Sequence, residues 1–249
     1  MSTEGSGASR AGEDGIHNED AFLVEEGLGL YVVCDGASGS PAGEVASRVA
    51  TEALEQFVER VEGDFGGELR ESQGALAVVV KAMEHAMTAV AEAERNADER
   101  LGLNTTITML LAHGLNGVIG HRGDSRAYLI RRERCHQLTV DHDLTEPVSN
   151  GGEKRDFDVF SLHLQAGDTI VLCTDGAEEV VRERDIVRVM GDLRPRLIAS
   201  RIVSAANRRA PSVDATAVVV RVRSERESGW LELSSLPDGT AFGHTLFRT

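Results

Sequence analysis

The sequence predicts an α+β domain in which blocks of antiparallel strands are separated by helices. Two observations carry this prediction: short apolar, β-branched runs occur in several blocks, and the long segments between them have apolar residues at helical spacing. A doubly wound parallel sheet would alternate strand and helix regularly, and this chain does not. With 249 residues, 41% of them hydrophobic, the chain can bury the core of one large domain.

The first predicted strand is the apolar run at 28–34, which ends at Asp35 and Gly36. Ser40 and Pro41 then form an N-cap and a first-turn proline, and apolar residues at helical spacing follow them. These features predict a long amphipathic helix. A second helix is predicted from Ser72 to the polar stretch near residue 95, because its apolar residues form one stripe.

Strand-like patterns dominate the rest of the chain. The predicted strands are 105–112, 118–122, 126–130, 159–164, 169–173 and 216–222. The first three predict an antiparallel meander, and the fourth and fifth predict a hairpin. Helical segments are predicted between the fifth and sixth strands, to about residue 209.

Composition predicts the domain boundaries and the compartment. Residues 1–15 are expected to be a flexible N-terminal segment, 16–223 the folded domain, and 224–249 a C-terminal extension of unknown role. The first segment lacks the apolar middle of a secretory signal, and no apolar run approaches the roughly 20 residues that cross a bilayer. The three scattered cysteines are predicted to be small buried hydrophobic residues. A cytoplasmic protein without a membrane span is expected.

The charge balance is strongly acidic. Asp and Glu number 41 against 26 Lys and Arg, which gives a formal net charge of -15. This charge repels nucleic acid and anionic lipid, so neither is an expected partner and a nuclease is a poor alternative. Divalent cations such as Mg²⁺ and Mn²⁺ prefer carboxylate oxygens, so the balance also suits a metal site. Plain solubility is the simpler explanation of the charge.

Two predicted strands end in the same way, since an Asp-Gly pair follows each apolar run directly at 35–36 and at 175–176. A carboxylate at the end of a buried strand is held rigidly, and the glycine lets the backbone approach a bound cation. Further carboxylates at predicted strand edges are Asp20, Asp124 and Asp214. Carboxylates that converge repel each other unless a metal ion lies between them. The pattern predicts a carboxylate-ligated metal centre, although either Asp-Gly alone is explained by a turn.

Other catalytic motifs are missing from the sequence. The segment GASGS at 36–40 lacks the final glycine of a GxSxG nucleophile turn, so Ser38 is expected to be a turn or capping residue. There is no Walker A lysine motif and no HExxH zinc motif, and the DHD sequence at 141–143 lacks the other parts of an EF-hand. His121 and His142 are predicted to be either structural or close to the metal centre.

Short motifs occur in a fixed order along nearly the whole chain. They are NEDAF at 18–22, VVCDGASG at 32–39, GEVAS at 43–47, NTT at 104–106, HRGDSRAY at 121–128, LTVDHDL at 138–144, CTDG at 173–176 and DAT at 214–216. In this order they resemble the motifs of the metal-dependent protein phosphatase 2C family, in its bacterial form. The resemblance implies a four-layer α-β-β-α sandwich, in which two antiparallel sheets are flanked by helix pairs and a metal site lies at one end.

The resemblance also implies a centre of two Mn²⁺ or Mg²⁺ ions. The implied ligands are Asp35 between the ions, the Gly36 carbonyl, and Asp175 and Asp214 on one ion. Glu19 and Asp20 would hold metal-bound waters, and Asp124 would join Asp175 on a third, weaker ion. The implied reaction is attack of a metal-bridging hydroxide on phosphoserine or phosphothreonine. The partner would be a phosphoprotein whose phosphorylation depends on an opposing Ser/Thr kinase.

The chain departs from the family pattern at the phosphate-binding arginine. The family places this arginine four residues before the Glu of its NED-like motif, where the chain has Gly15, and Arg10 is a candidate substitute. This departure motivates an alternative function, a weakly active or inactive phosphatase-like module that binds a protein partner. A phosphatase that acts on a small regulatory protein in a partner-switching module would share the chemistry, and nothing in the sequence selects it.

Three other departures concern the surroundings of the site. Ala37 stands where many eukaryotic members have a proton-donating His, so protonation of the leaving group would fall to water. The stretch between Asp141 and Asp175 is short and lacks the family's Thr-Arg-Ala-Leu-Gly segment, which predicts a reduced or different substrate-recruiting surface. Ala215 replaces the Asn that is usual after the last Asp.

Overall fold

The computed structural model describes residues 2–13, 17–36, 41–65, 72–97, 102–144, 156–182, 187, 190 and 193–224, which form ten strands and four helices. The strands are β1 Ser2–Arg10, β2 Asp20–Glu25, β3 Leu30–Asp35, β4 Ile107–His113, β5 Asn116–Arg122, β6 Arg126–Arg131, β7 Arg134–Gln137, β8 Asp158–His163, β9 Thr169–Cys173 and β10 Ala215–Arg223. The helices are α1 Pro41–Phe65, α2 Ser72–Asn96, α3 Asp175–Val181 and α4 Pro195–Arg209.

The strands form two antiparallel five-stranded sheets. Sheet A has the order β1-β10-β9-β6-β7, and sheet B has the order β2-β3-β4-β5-β8. Three apolar cores separate four layers: one core lies between the sheets, one between sheet B and the pair α1 and α2, and one between sheet A and the pair α3 and α4. The predicted α-β-β-α sandwich is confirmed.

The predicted flexible segment at residues 1–15 is wrong for residues 2–10, which form β1 and pair along their whole length with β10. The small residues that suggested a linker are needed for packing. A Cβ at Gly5 would collide with the Tyr31 ring, and a Cβ at Gly7 would collide with the Phe22 ring. The Tyr31 hydroxyl also donates a hydrogen bond of 2.7 Å to Thr3 Oγ1. Gly15 lies outside the described residues, as do residues 225–249 of the predicted extension.

Two strand pairings differ from the sequence prediction. The hairpin of β4 and β5 is confirmed, but β6 leaves this meander and pairs with β9 in sheet A. The predicted hairpin of β8 and β9 is wrong, because β8 pairs with β5 in sheet B. Both connections cross from one sheet to the other. Alternating apolar residues show that a strand is half-buried, but they do not show on which sheet it lies.

One helix, over residues 74–96, is long and apolar enough by composition to cross a membrane, and 44% of its most apolar window is buried in the structure. Buried core helices of soluble proteins meet the same criteria, and α2 packs against α1 and sheet B. The prediction for the cysteines holds for Cys34 and Cys173, which are free and fully buried. Cys135 is free and half-buried.

Candidate metal centre

The core between the sheets is apolar over most of its length and polar at one end. Strand alternation sets this pattern: Tyr31 and Val33 point between the sheets on β3, and the next residue of the same face is Asp35. On β10 the inward residues Val220 and Val218 lead in the same way to Asp214, just before the strand. Buried hydroxyls line this end, namely Thr106, Thr108, Ser125, Thr174 and Thr216. The two carboxylates therefore meet at one end of the sandwich.

Hydrogen bonds hold the end of β3 in place. The Asp35 amide donates to Thr106 Oγ1 over 2.9 Å, and the Asp35 carbonyl accepts from the Thr106 amide over 2.8 Å. The Gly36 amide donates to the Glu19 carbonyl over 3.1 Å. A Cβ at Gly36 would collide with the backbone of Gly43, at the start of α1, so only glycine fits this close approach.

Asp20 is buried directly beside Asp35, its partner in the pairing of β2 with β3. Its Oδ2 accepts a hydrogen bond of 2.9 Å from the Thr174 hydroxyl, whereas its Oδ1 is buried without a hydrogen-bond partner. Burial raises the pKa of Asp20 to about 7, with smaller contributions from the charges of Asp214 and Asp175. An unpaired buried carboxylate oxygen is a position that a cation or its bound water can fill.

Asp214 is held by the backbone of the segment between β1 and β2. Its Oδ1 accepts a hydrogen bond of 2.8 Å from the Gly12 amide, and its Oδ2 accepts one of 2.7 Å from the Glu19 amide. Gly176 packs against the Asp214 backbone, because a Cβ there would collide with the Asp214 carbonyl. This contact brings Asp175, the first residue of α3, next to Asp214.

A cavity of about 470 Å³ opens at this end of the sandwich. Its walls are formed by Asp35, Asn104, Thr106, Asp124, His142, Asp143, Leu144 and Asp175. The Glu19 carboxylate lies beside it, close enough to Gly43 that a Cβ there would collide with it. Arg10 is placed differently: it is exposed, pairs with Ala215, and by strand alternation shares with Ala8 the side of sheet A that faces the helices.

The carboxylates repel each other strongly. Burial raises the pKa of Asp35 most, and together with the charges of the neighbouring carboxylates it brings the pKa to about 9; these are Asp20, Asp175, Asp124 and Asp214. Across the described residues, no group of three or more His, Cys, Asp and Glu side chains is already arranged to hold a metal ion. The donor set nevertheless fits Mg²⁺ or Mn²⁺, because it consists of carboxylate oxygens, one of them unpaired, that are unfavourable together without a cation.

These pKa values predict how the metal-free protein responds to pH. The folded chain holds the Asp35 proton up to about pH 9, and the unfolded chain loses it near pH 3.9. Between these values the folded state binds one more proton, so the free energy of unfolding falls as pH rises, by about 1.4 kcal/mol per pH unit at most. In chelator we expect the melting temperature to be lower at about pH 8 than at about pH 6, and Asp35→Asn should flatten this slope. An equally steep slope in the variant would contradict the assignment.

The structure places His121 and His142, which the sequence predicts to be either structural or close to the metal centre, in different environments. His121 is fully buried, with Nδ1 3.0 Å from Thr108 Oγ1 and Nε2 3.0 Å from the Val140 carbonyl oxygen. Burial lowers its pKa to about 4, so its role is structural. His142 stacks on it with ring centroids 4.8 Å apart, and lines the cavity. Its Nε2 lies 3.1 Å from Asp158 Oδ2. His142 therefore contributes an imidazole ring to the cavity wall.

Arg126 connects three parts of the site, and sequence reasoning did not find it. Its guanidinium donates two hydrogen bonds to Asp141, of 2.8 and 2.6 Å, and forms an ion pair with Glu178 of α3. It therefore joins the start of β6, next to Asp124, to the helix that begins with Asp175. The HRGDSRAY motif contains this arginine, but a motif does not show which acidic residues it will meet.

Comparisons with known proteins agree with this architecture. A sequence model described as protein phosphatase 2C matches residues 7–209. Serine/threonine phosphatase stp of Listeria monocytogenes is 26% identical over 200 residues, which cover 70% of this chain and 77% of that protein. Serine/threonine protein phosphatase PstP of Mycobacterium tuberculosis is 28% identical over 228 residues, which cover 83% of this chain but 42% of that longer protein.

Solved structures show the same fold. The catalytic domain of PstP in complex with two manganese ions superposes with a TM-score of 0.75 at 25% identity, covering 90% of this chain and 99% of that domain. The serine/threonine phosphatase of S. agalactiae superposes with a TM-score of 0.73 at 24% identity, covering 89% of this chain and all of that one. The chain therefore belongs to the protein phosphatase 2C family of protein serine/threonine phosphatases.

Proposed function

We propose that this chain hydrolyses phosphoserine and phosphothreonine in proteins at a centre of two Mn²⁺ or Mg²⁺ ions. One observation carries the proposal: Asp35, Asp124 and Asp175 line a single cavity, with the charges of Asp20 and Asp214 close enough to raise the pKa of Asp35. The two manganese ions bound by the PstP catalytic domain support the choice of metal.

The metal roles follow the family motifs. When bound, the two ions would neutralise charge on the phosphoryl oxygens and activate the attacking water. Asp35 would hold both ions, the Gly36 carbonyl would be a further ligand, and Asp175 and Asp214 would bind one ion. Glu19 and Asp20 would hold metal-bound water, and Asp124 with Asp175 would bind a third, weaker ion. The two backbone amides on Asp214 fix its position. Because the described residues include no ligand set already arranged for a metal ion, small side-chain rotations would have to draw the carboxylates together.

The partners and the compartment belong to the same proposal. The substrate is a phosphoprotein whose phosphorylation is opposed by a Ser/Thr kinase, and neither nucleic acid nor lipid is a substrate, in accord with the net charge of -15. Free, buried Cys34 and Cys173 suit the reducing cytoplasm. Fractionation of cells that express the full chain tests this location, and recovery with membranes would contradict it.

Release of phosphate from a phosphothreonine peptide tests the activity. The purified chain is assayed with Mn²⁺, with Mg²⁺ and with chelator, and turnover is expected only with metal. Metal binding is followed in parallel by the thermal shift that Mn²⁺ produces. A thermal shift without turnover would instead favour a phosphatase-like module that binds a protein partner, the alternative that Gly15 motivates.

Gly15→Arg tests whether the missing arginine limits substrate binding. A guanidinium that pairs with the phosphate contributes about 1.5 to 3 kcal/mol, so the KM for a phosphopeptide should fall by about tenfold or more. The turnover number should change much less, because the gain is in binding. An unchanged KM would show that another group already holds the phosphate. Gly15→Lys, which adds the charge without the planar fork, is the matched control.

A further inference from the structure

The last helix has an unusual charge for this protein. Residues 193–212 contain five arginines, Arg194, Arg196, Arg201, Arg208 and Arg209, and no acidic residue. The whole chain carries a formal charge of -15. Arg194 is at the N-cap position of α4, without a capping hydrogen bond from its side chain, and Arg196 lies in the first turn, where the helix dipole disfavours cations. The arginines there are therefore not explained by stabilisation of the helix.

The structure separates the two faces of α4. Ile198, Ile202 and Ala206 are buried against sheet A, whereas Arg196, Arg201 and Arg208 are all exposed. These three lie within about 140° around the helix axis at 100° per residue, so they form one face. We call Arg196, Arg201 and Arg208, with the neighbouring Leu197, the basic face. Leu197 is 52% exposed, which adds an apolar contact within the charged surface.

The basic face has no acidic partner in the part of the chain that the structure describes, since none of its arginines forms an ion pair with another described residue. The exposed Arg48 of α1, in contrast, is paired with Glu52. Within this described part of the chain, no ion pair cancels the positive potential of the basic face.

The helix that carries the basic face is connected directly to the metal centre. The C-terminal end of α4 is joined by residues 210–213 to Asp214, and Arg10 is exposed at the same end of sheet A. The fifteen residues of α4 span about 22 Å, which about seven residues of an extended peptide would cover. A substrate segment could lie on α4 while its phosphorylated residue reaches the cavity.

We propose that the basic face docks an acidic segment of the phosphoprotein substrate. The proposal rests on the phosphatase activity proposed above. The net charge of the chain repels an acidic substrate over the long range, and the basic face supplies a local attraction that fixes its orientation. Contacts far from the phosphate can supply binding that the chain lacks at Gly15. An anionic membrane is the less suitable partner, because the apolar side of α4 is buried in the protein.

Binding is measured first, so that the result does not depend on turnover. The probe is a fluorescent peptide without phosphate that carries about seven glutamates, a length set by α4, and its reference has glutamine at the same positions. We expect the full chain to prefer the glutamate peptide, and Arg196→Glu with Arg201→Glu to weaken its binding by about tenfold at low salt. Arg48→Glu with Arg60→Glu on α1 is the control, because it changes the net charge equally at another exposed surface.

Turnover separates this proposal from the activity itself. With the acidic segment placed beside a phosphothreonine, the α4 variant should raise KM, whereas hydrolysis of p-nitrophenyl phosphate should be unchanged. Equal binding of the two peptides, or equal losses in the α4 and α1 variants, would overturn the docking proposal and leave the phosphatase proposal intact. Failure to hydrolyse either substrate would overturn the activity alone. The chain should not bind vesicles of anionic lipid. Arginine-dependent binding to such vesicles in preference to the peptide would also overturn the docking proposal.

Discussion

Asp35→Asn is expected to lower metal-supported hydrolysis of a phosphothreonine peptide by at least about a thousandfold, since several kcal/mol of charge stabilisation are lost and each 1.4 kcal/mol is a factor of ten. The fold should survive. Asn has the shape of Asp, and the backbone hydrogen bonds of residue 35 to Thr106 do not use its side chain. Near neutral pH the metal-free folded chain has to keep Asp35 protonated beside four other carboxylates. The Asn side chain is neutral without this cost, so the substitution should even stabilise the metal-free chain.

The metal-induced thermal shift identifies the cause of this loss. We expect Mn²⁺ to raise the melting temperature of the wild-type chain and to have little effect on Asp35→Asn. Asp124→Asn is the matched control, because Asp124 lines the same cavity but is exposed and assigned to a weaker ion. It should keep most of the thermal shift. Equal tolerance of both substitutions in both measurements would refute the assignment of Asp35.

The carboxylates could be predicted from sequence because each stands at the end of an apolar strand. Strand alternation then decides the face: Asp35 and Asp214 continue inward-facing rows and necessarily reach the same end of the sandwich. The local alternation of apolar residues is therefore enough to predict where these two carboxylates lie. Asn104 and the segment at 142–144 enter the cavity wall through long-range contacts, such as the hydrogen bond of 3.2 Å from Asn104 Nδ2 to the Leu144 carbonyl. Local patterns do not encode such contacts, although the family motifs marked both segments.

The N-terminal strand β1, in contrast, could not be predicted from local sequence. The segment at 2–10 is rich in Ser and Gly and has low strand propensity, so intrinsic preference alone predicts a flexible segment. Pairing with the strongly apolar β10 overrides that preference, and Gly5 and Gly7 give space to two aromatic rings on sheet B. The packing requirement becomes visible only when both sheets are in place.

Asp168→Ala is expected to lower the free energy of unfolding by about 3 kcal/mol, because it leaves a partly buried guanidinium without its carboxylate. Asp168 is 1% exposed and accepts two hydrogen bonds from Arg131, of 2.7 and 2.6 Å, and one of 2.7 Å from the Gln165 amide. Arg131 also donates to the His163 carbonyl over 3.0 Å. The pair thus fixes the crossing from β8 in sheet B to β9 in sheet A. Denaturant unfolding measures the loss.

Controls distinguish this buried pair from an ordinary surface pair. Arg48→Ala breaks the exposed pair with Glu52, whose side chains are 55% and 51% exposed, and it should cost no more than about 0.5 kcal/mol. Replacing both partners, Asp168→Leu with Arg131→Met, should recover much of the stability, because neither charge is then buried alone. Asp168 lies at the end of the sheet opposite Asp124, so turnover per folded molecule should be unchanged in all these variants. A loss of turnover at full stability would mean that the crossing controls the metal centre as well as the fold.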